Sequence, residues 1–271
     1  MARIFAITNQ KGGVGKTTTS VNLAASLVAT RRRVLLIDLD PQGNATMGSG
    51  VDKNGLEASI YDVLTEKGSI DSAIGKGLDA GYDLIGANQD LTAAEVELIN
   101  EIGREFRLRE ALAPVLEDYD FILIDCPPSL NMLTVNALAA AHGVIIPMQC
   151  EYYALEGLTA LVNTVNRVKQ LINPELGIEG LLRTMYDPRN SLTNDVSAQL
   201  YEHFGDKVYR TVIPRNVRLA EAPSHGMPVI QYDKDSKGAM AYIALAGEML
   251  RRADKPGAPE TPGLHLIRSE G

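Results

Sequence analysis

Short runs of apolar residues recur along the chain, and longer stretches with helically spaced apolar positions separate them. Each run is almost continuously apolar, which is typical of a strand buried on both faces of a sheet. The alternation of such strands with helices predicts the α/β class, with a mostly parallel twisted sheet and helices on both faces. The predicted strands are Arg3–Thr8, Val34–Asp38, Phe121–Asp125, Gly143–Met148, Leu181–Met185 and Tyr209–Ile213.

The intervening stretches predict helices. Thr19–Thr30, Leu130–Ala141 and Gly238–Ala253 each carry apolar residues on one side of a helix. The same spacing covers Leu91–Leu116, with Gly103 as a candidate interruption. Weaker signals between Val51 and Asn88 predict helical pieces at Ile60–Leu64 and Ile70–Ile74 and a strand at Tyr82–Ile85.

Length and composition are those of a folded globular protein. The chain has 271 residues, of which 45% are hydrophobic and 22% are charged, so it is long enough to bury a sizeable core. We expect one domain over residues 1–253. Proline and glycine are frequent in the polar segment 254–271, and we expect a disordered tail there.

Charge and cysteine usage restrict the possible environments. A net charge of −8 argues against a surface that is basic all over, but it leaves room for a local basic patch. Cys126 and Cys150 have no close pairing motif, which favours reduced thiols. No signal peptide precedes the first strand, and no apolar run approaches the ~20 residues of a membrane span. We therefore expect a cytoplasmic protein with no membrane partner.

A glycine-rich segment joins the first predicted strand to the first predicted helix. Glycines there allow the backbone to wrap around a phosphate, and the positive end of the helix dipole points at the same place. Lys16 is placed to reach the β- and γ-phosphates of a nucleotide, and the Thr17 hydroxyl is placed to bind Mg²⁺. The predicted nucleotide-binding residues in this segment are Lys11, Gly12, Gly13, Val14, Gly15, Lys16, Thr17 and Thr18.

The segment departs from the usual phosphate-loop pattern. Position 10 would ordinarily be glycine but is Gln10, and an additional lysine, Lys11, follows it. Lys-Gly-Gly-Val-Gly-Lys-Thr-Thr resembles the deviant Walker A motif of the ParA/MinD group of P-loop ATPases. The resemblance implies the P-loop NTPase fold. It also implies that Lys11 reaches the ATP of a partner subunit, so that the protein works as an ATP-dependent homodimer.

Aspartates end two of the predicted strands. Asp38 and Asp40 close the second strand, and Asp125 closes Phe121–Asp125. Carboxylates at these positions suit Mg²⁺ binding through water or the orientation of an attacking water. The first run resembles the family's Walker A′ motif and the second its Walker B motif. By that resemblance Asp40 is needed for hydrolysis, while Asp38 and Asp125 lie near the metal.

Two further regions resemble the ParA/Soj branch of this family. The run Ile213–Gly226 is a specific match, and by resemblance Pro214, Arg215 and Asn216 flank the adenine. Arginines matching Arg189 and Arg218 form a DNA-binding patch in that branch. Charge spacing alone would equally indicate a solvated face. For Glu151 and Tyr152, a contact with a partner subunit and ordinary packing remain alternatives.

The resemblance implies an ATP-dependent DNA-segregation ATPase of the chromosome-partitioning kind. Lys11, Lys16 and Asp40 are its implied catalytic residues, and ATP and Mg²⁺ are its implied cofactors. An ATP-bound sandwich dimer would bind double-stranded DNA non-specifically and associate with the nucleoid. A ParB-type centromere-binding partner would stimulate an otherwise weak hydrolysis and release the dimer.

Three alternatives differ from this interpretation in one testable feature each. A membrane-positioning ATPase of the MinD kind requires a C-terminal amphipathic helix, which the prolines of the final segment disfavour. An iron–sulfur reductase of the nitrogenase type requires two ligating cysteines, and Cys126 and Cys150 do not match that spacing. A plasmid-borne ParA with an added DNA-binding domain requires more chain before the glycine-rich segment than is present.

Overall fold

The computed structural model describes residues 1–152 and 154–253. In that part of the chain, eight strands form one sheet in the order β3-β4-β2-β5-β1-β6-β7-β8. Every neighbouring pair is parallel except β3 with β4, so the sheet is mostly parallel, as predicted. The strands are β1 Arg3–Ile7, β2 Val34–Asp38, β3 Ile74–Gly75, β4 Asp83–Ile85, β5 Phe121–Asp125, β6 Gly143–Gln149, β7 Gly177–Tyr186 and β8 Val208–Pro214.

Helices connect the strands and cover both faces of the sheet. The α-helices are α1 Lys16–Ala29, α2 Asn44–Gly48, α3 Ile60–Leu64, α4 Ile70–Ala73, α5 Leu91–Glu97, α6 Arg107–Leu112, α7 Met132–Ala140, α8 Ala154–Leu171, α9 Ser191–Phe204, α10 Val217–Glu221, α11 Val229–Tyr232 and α12 Lys237–Ala253. Short 3-10 turns occur between several of them. The predicted tail at 254–271 lies outside the described residues.

The central strand shows why the predicted strands lack a polar face. Ile4 and Ala6 of β1 belong to one apolar core, together with residues of α3 to α9. Phe5 and Ile7 alternate with them and belong to a second core, with α1, α2 and α10 to α12. Because successive side chains of a strand point to opposite faces, a strand between two helical layers must be apolar throughout.

Most of the predicted elements are confirmed, and two differ in extent from the prediction. The apolar pattern over Leu91–Leu116 is not one helix, since α5 ends at Glu97 and α6 begins at Arg107. Gly103 lies between them with φ 71°, a left-handed conformation that does not continue a right-handed helix. Helix α1 begins at Lys16, three residues before the predicted start, because the glycine-rich segment itself leads into its first turn.

The parallel arrangement brings the carboxyl ends of β1, β2 and β5 to one edge of the sheet. Ile7 pairs with Asp125, and Asp38 pairs with the same aspartate from the other side. Ligands of open parallel sheets bind at this edge. Among the described residues, no helix has the length and apolarity needed to cross a membrane.

Candidate active site

The segment between β1 and α1 forms a tight backbone loop. Gly13 and Gly15 adopt φ values of 73° and 86°, which side-chain-bearing residues rarely reach. Gly15 precedes the first residue of α1, and its carbonyl accepts the backbone N–H of Thr19 at 2.9 Å. The free N–H groups at the start of α1 therefore lie at the loop, where they and the helix dipole favour an anion.

Side chains from neighbouring elements hold this loop in place. Asn9 accepts a hydrogen bond from the backbone N–H of Lys11 at 3.0 Å and donates to the Pro147 carbonyl of β6 at 2.8 Å. From β7, the Thr184 hydroxyl donates to the Val14 carbonyl at 2.8 Å. The loop is thus pre-organised by strands that are distant in sequence. Motif reading did not single out Asn9 or Thr184, although both stand at the ends of predicted strands.

Lys16 is buried at the start of α1, with only 7% of its surface exposed. Its ammonium donates to the Lys11 carbonyl at 3.3 Å. Burial lowers the pKa of Lys16, and the nearby charges of Asp125 and Asp40 oppose that shift. The ammonium forms no ion pair among the described residues, so its charge is available for a phosphate.

Asp125 and Asp38 form a fully buried pair of carboxylates at the paired ends of β5 and β2. One oxygen of Asp125, Oδ1, accepts the Ser20 hydroxyl at 2.8 Å, while the buried Oδ2 has no hydrogen-bond partner within the described chain. Burial and the neighbouring Asp38 raise the pKa of Asp125 to about 8. An unpartnered buried oxygen beside a like charge is the feature that a cation would satisfy.

Asp38 holds the local backbone rather than pointing an open oxygen into the site. Its Oδ2 accepts both the backbone N–H and the hydroxyl of Thr46 at 2.8 Å, and its Oδ1 accepts the Asp40 N–H at 3.2 Å. Burial raises the pKa of Asp38 to about 6. The half-buried Asp40 is thereby fixed two residues beyond the strand, and its Oδ1 accepts the Gln42 N–H at 2.9 Å.

The donor set at this edge fits Mg²⁺. The Thr17 hydroxyl lies close enough to Asp125 to oppose the rise in its pKa, so hydroxyl and carboxylate oxygens, the donors that Mg²⁺ prefers, meet at one place. No group of three or more His, Cys, Asp or Glu side chains suited to a metal occurs among the described residues. Such a sparse protein set suits Mg²⁺ held together with water and substrate phosphates better than an ion caged by protein alone.

Comparison with known proteins places this geometry in a family. A family model described as an AAA domain matches residues 2–178. The chain is 54% identical over 249 residues to the sporulation initiation inhibitor protein Soj of Bacillus subtilis, covering 92% of this chain and 98% of Soj. It is 50% identical to the chromosome partitioning protein ParA of Myxococcus xanthus, covering 96% of this chain and 91% of ParA. The chain belongs to the ParA/Soj family of P-loop ATPases.

Solved structures support the same assignment for the fold. The crystal structure of cobyrinic acid a,c-diamide synthase from Mycobacterium smegmatis, with bound ATP analog and magnesium, has a TM-score of 0.82 to this chain. The two are 40% identical, and the alignment covers 93% of this chain and 96% of that one. The predicted P-loop NTPase fold is therefore confirmed.

The lysine that marks the ParA/Soj pattern is held within its own subunit. The Lys11 ammonium lies 2.6 Å from Glu151 Oε2, and both side chains are about half exposed, at 49% and 48%. Glu151 lies in the connection between β6 and α8. The geometry therefore shows the predicted trans-acting lysine in a surface ion pair in cis.

The residues that the family resemblance assigns to adenine cluster after β8. Pro214 ends β8 and pairs with Tyr186 of β7. Asn216 caps α10, where its Oδ1 accepts the Leu219 N–H at 3.3 Å, and Arg215 is exposed between them. The cap uses the Asn216 oxygen and does not engage its amide nitrogen.

Both arginines predicted to bind DNA are exposed, and both are paired with acids. Arg189 is 87% exposed and contacts Asp187 at 2.8 Å. Arg218 is 50% exposed and contacts Glu221 at 2.8 Å and Asp233 at 3.2 Å. The charge pattern along the chain did not establish these pairings, and Asp233 is distant from Arg218 in sequence.

Proposed function

We propose that this protein is a Mg²⁺-dependent ATPase that segregates DNA. The observation that carries the ATPase part is the buried Asp125 oxygen without a partner, which lies beside Asp38 and the buried Lys16 under a glycine loop. Family membership and the names of relatives that are at least half identical support the partitioning role. The protein is cytoplasmic and associates with the nucleoid in this proposal.

The roles of the residues follow from their placement. The loop from Lys11 to Thr18 surrounds the phosphates with backbone N–H groups, and Lys16 neutralises charge that develops on the β–γ bridge. Thr17 and Asp125 hold Mg²⁺, with Asp38 close by, and the ion offsets the negative charge of the phosphates. Asp40 orients the attacking water. Pro214, Arg215 and Asn216 flank the adenine.

A nucleotide-dependent dimer is part of the proposal. In the structure Lys11 is occupied by Glu151, an exposed ion pair of the kind that contributes about 0–1 kcal/mol. So weak a contact is readily exchanged for the phosphates of a second subunit. Lys11 then contributes to catalysis in trans, and hydrolysis without a partner stays slow.

In this proposal, the nucleotide state of the protein controls its binding to DNA. Arg189 and Arg218 contact phosphates without reading the base sequence, and the dimer presents each arginine twice. A ParB-type centromere-binding protein stimulates hydrolysis, after which the subunits separate and DNA is released. The Myxococcus xanthus relative named for chromosome partitioning, at 50% identity, favours this output over an amide-forming one, since the synthase name belongs to a structure at 40%.

The test uses Asp40→Ala protein, which should keep ATP bound. Binding to a duplex of arbitrary sequence is measured with ATP and with ADP, each at two salt concentrations. We expect binding with ATP alone, weakened by salt. If the protein forms a stable ATP-bound dimer but does not bind DNA, the proposed ATPase activity stands and the proposed DNA-binding surface is refuted. Wild-type turnover by Asp40→Ala would refute the assignment of the water-positioning residue.

A further inference from the structure

The ion pair at Arg189 has the geometry of a phosphate contact. The guanidinium Nε and Nη2 donate to Oδ1 and Oδ2 of Asp187 at 2.9 and 2.8 Å, so the arginine grips the carboxylate with two parallel bonds. The Arg189 backbone N–H adds a third bond to Oδ1 at 3.1 Å. These are the same donors that a phosphodiester with two free oxygens would take.

Arg218 forms ion pairs with two acidic side chains. Its Nη1 donates to Glu221 one helical turn away at 2.8 Å, and its Nε lies 3.2 Å from Asp233, which follows α11. The Tyr232 hydroxyl also donates to the same Glu221 oxygen, at 3.1 Å, and keeps that carboxylate in place. Both arginines therefore reach solvent with their charge already compensated.

We infer that Asp187, Glu221 and Asp233 compete with DNA phosphates for Arg189 and Arg218, and that these acids set how tightly the protein holds DNA. The inference rests on the proposed function. Because each pair is exposed, exchanging carboxylate for phosphate requires little free energy. The remaining carboxylate then repels the phosphate that has displaced it, which lowers the affinity further.

Such competition suits a protein that must release DNA when its nucleotide changes. Each arginine alone binds a phosphate weakly, so retention depends on presenting several arginines together in one dimer. The hydrogen bonds from Arg189, with a further contribution from the charge of Arg215, lower the pKa of Asp187 to about 2. The competing carboxylate is therefore ionised throughout the neutral pH range.

A different role for Asp187 makes the opposite prediction. A carboxylate that merely orients Arg189 toward DNA would strengthen binding, and its loss would weaken binding. Substituting Asp187→Asn removes the charge while keeping the size of the side chain. The sign of the change in DNA affinity therefore distinguishes competition from orientation.

The experiment measures affinity for a duplex of arbitrary sequence, with ATP and Mg²⁺, in the Asp40→Ala background across a salt series. We expect Asp187→Asn to tighten binding roughly two- to tenfold and to steepen the salt dependence, because more of the Arg189 charge reaches the phosphates. Asp195→Asn is the matched control. Asp195 is exposed on the neighbouring helix α9 and lies outside the ion pairs of the described residues, so it makes the same charge change without freeing an arginine.

A double substitution isolates the pair itself. In an Arg189→Gln background, Asp187→Asn should tighten binding no more than Asp195→Asn does. Glu221→Gln combined with Asp233→Asn should repeat the gain at Arg218. Equal effects of Asp187→Asn and Asp195→Asn, or weaker binding by Asp187→Asn, would overturn the inference while the DNA surface stands. If neither Arg189→Gln nor Arg218→Gln weakens DNA binding, the proposed DNA surface fails and the inference fails with it.

Discussion

At the scale of single residues, Asp125 stands out because its ionised carboxylate is in an unfavourable environment. Its side chain is fully buried, one oxygen is unpartnered within the described chain, and Asp38 stands at the paired position of the next strand. Burying like charges together destabilises the fold unless a cation or a proton compensates. The site thus gives up stability in exchange for affinity toward a metal.

Asp125→Asn tests this cost directly. In the folded protein the pKa of Asp125 is raised from 3.8 to about 8. The contribution of this residue to the free energy of unfolding is therefore fully present below about pH 4 and is lost as the pH rises toward 8. Without nucleotide and with a chelator, the wild type should therefore lose free energy of unfolding between pH 4 and 8. At pH 8 the asparagine variant should be more stable by about 2 kcal/mol.

Urea unfolding at pH 5 and pH 8 measures both values, and Asp71→Asn, at an exposed position on α4, is the control. Added Mg²⁺ and ATP should stabilise the wild type but not Asp125→Asn. If the two proteins show the same pH slope, Asp125 is not the strained charge.

At the scale of elements, β7 connects the glycine loop to helix α9 and strand β8. Thr184 donates to the Val14 carbonyl of the loop. The preceding Arg183 is 5% exposed and donates to Ser197 of α9 and to the Tyr209 carbonyl of β8. The conformation of the loop therefore depends on how β7 packs, and not only on its own glycines.

Thr184→Val should loosen the loop without changing side-chain shape much. The substitution leaves the Val14 carbonyl without its donor, which costs about 1–3 kcal/mol when the carbonyl is buried. We expect weaker ATP binding by calorimetry and a lower melting temperature. Thr184→Ser keeps the hydroxyl and should behave like the wild type; if it fails as valine does, the hydrogen bond alone does not account for the loss.

A carboxylate also joins α12 to β8. Glu248 is 7% exposed and accepts hydrogen bonds from the N–H groups of Arg210 and Thr211, both at 2.9 Å, and from Arg252 at 2.8 Å. Although burial opposes the shift, these bonds lower the pKa of Glu248. The stability it contributes is therefore present above the unfolded pKa of a glutamate and is lost as the pH falls through the folded value.

Glu248→Ala should cost about 3 kcal/mol of unfolding free energy at pH 7, because two partly buried N–H groups and Arg252 lose their acceptor. The difference from the wild type should shrink in acid, where the glutamate is protonated. Denaturant unfolding at pH 7 and pH 3 checks this, and Glu202→Ala on the exposed side of α9 should cost under about 1 kcal/mol at either pH. A pH-independent difference would mean that packing alone accounts for the loss.

At the scale of the whole molecule, the charge that the proposed dimer needs lies on the surface of a single chain. Lys11 is half exposed and neutralised by Glu151, whereas Lys16 is buried and committed to its own loop. In the proposed mechanism, Lys16 acts inside its own subunit and Lys11 acts on the partner subunit.

Lys11→Ala should separate nucleotide binding from dimerisation. Because its ion pair is exposed, the substitution should change the stability of the single chain by less than about 1 kcal/mol. In the Asp40→Ala background with ATP, light scattering should show a dimer for Lys11 and a monomer for Lys11→Ala. Lys76→Ala, at another exposed position, should leave the dimer intact. A dimer that survives Lys11→Ala would show that the lysine does not bridge the subunits.

Local pattern was sufficient for every strand of the described chain except β3, for most helices and for the residues of the glycine loop, because each depends on the periodicity and residue types of a short stretch. It also placed Asp38 and Asp125 at strand ends. It overestimated the helix at Leu91–Leu116, since apolar spacing continues through the left-handed turn at Gly103. The contribution of Gly103 is a backbone angle, which the hydrophobic pattern does not contain.

Residue chemistry along the chain thus determined the fold class, the phosphate loop and the candidate carboxylates. Only the tertiary structure decided their partners: Thr184 on the Val14 carbonyl, Glu151 on Lys11, and acids on both exposed arginines. Two of these contacts, Thr184 on Val14 and Glu151 on Lys11, join residues that are far apart in sequence, so they depend on distance in space rather than spacing along the chain. Hydrogen bonds and ion pairs act over a few ångströms, and the packing of β6, β7 and α11 against the loop regions brings such residues within that range.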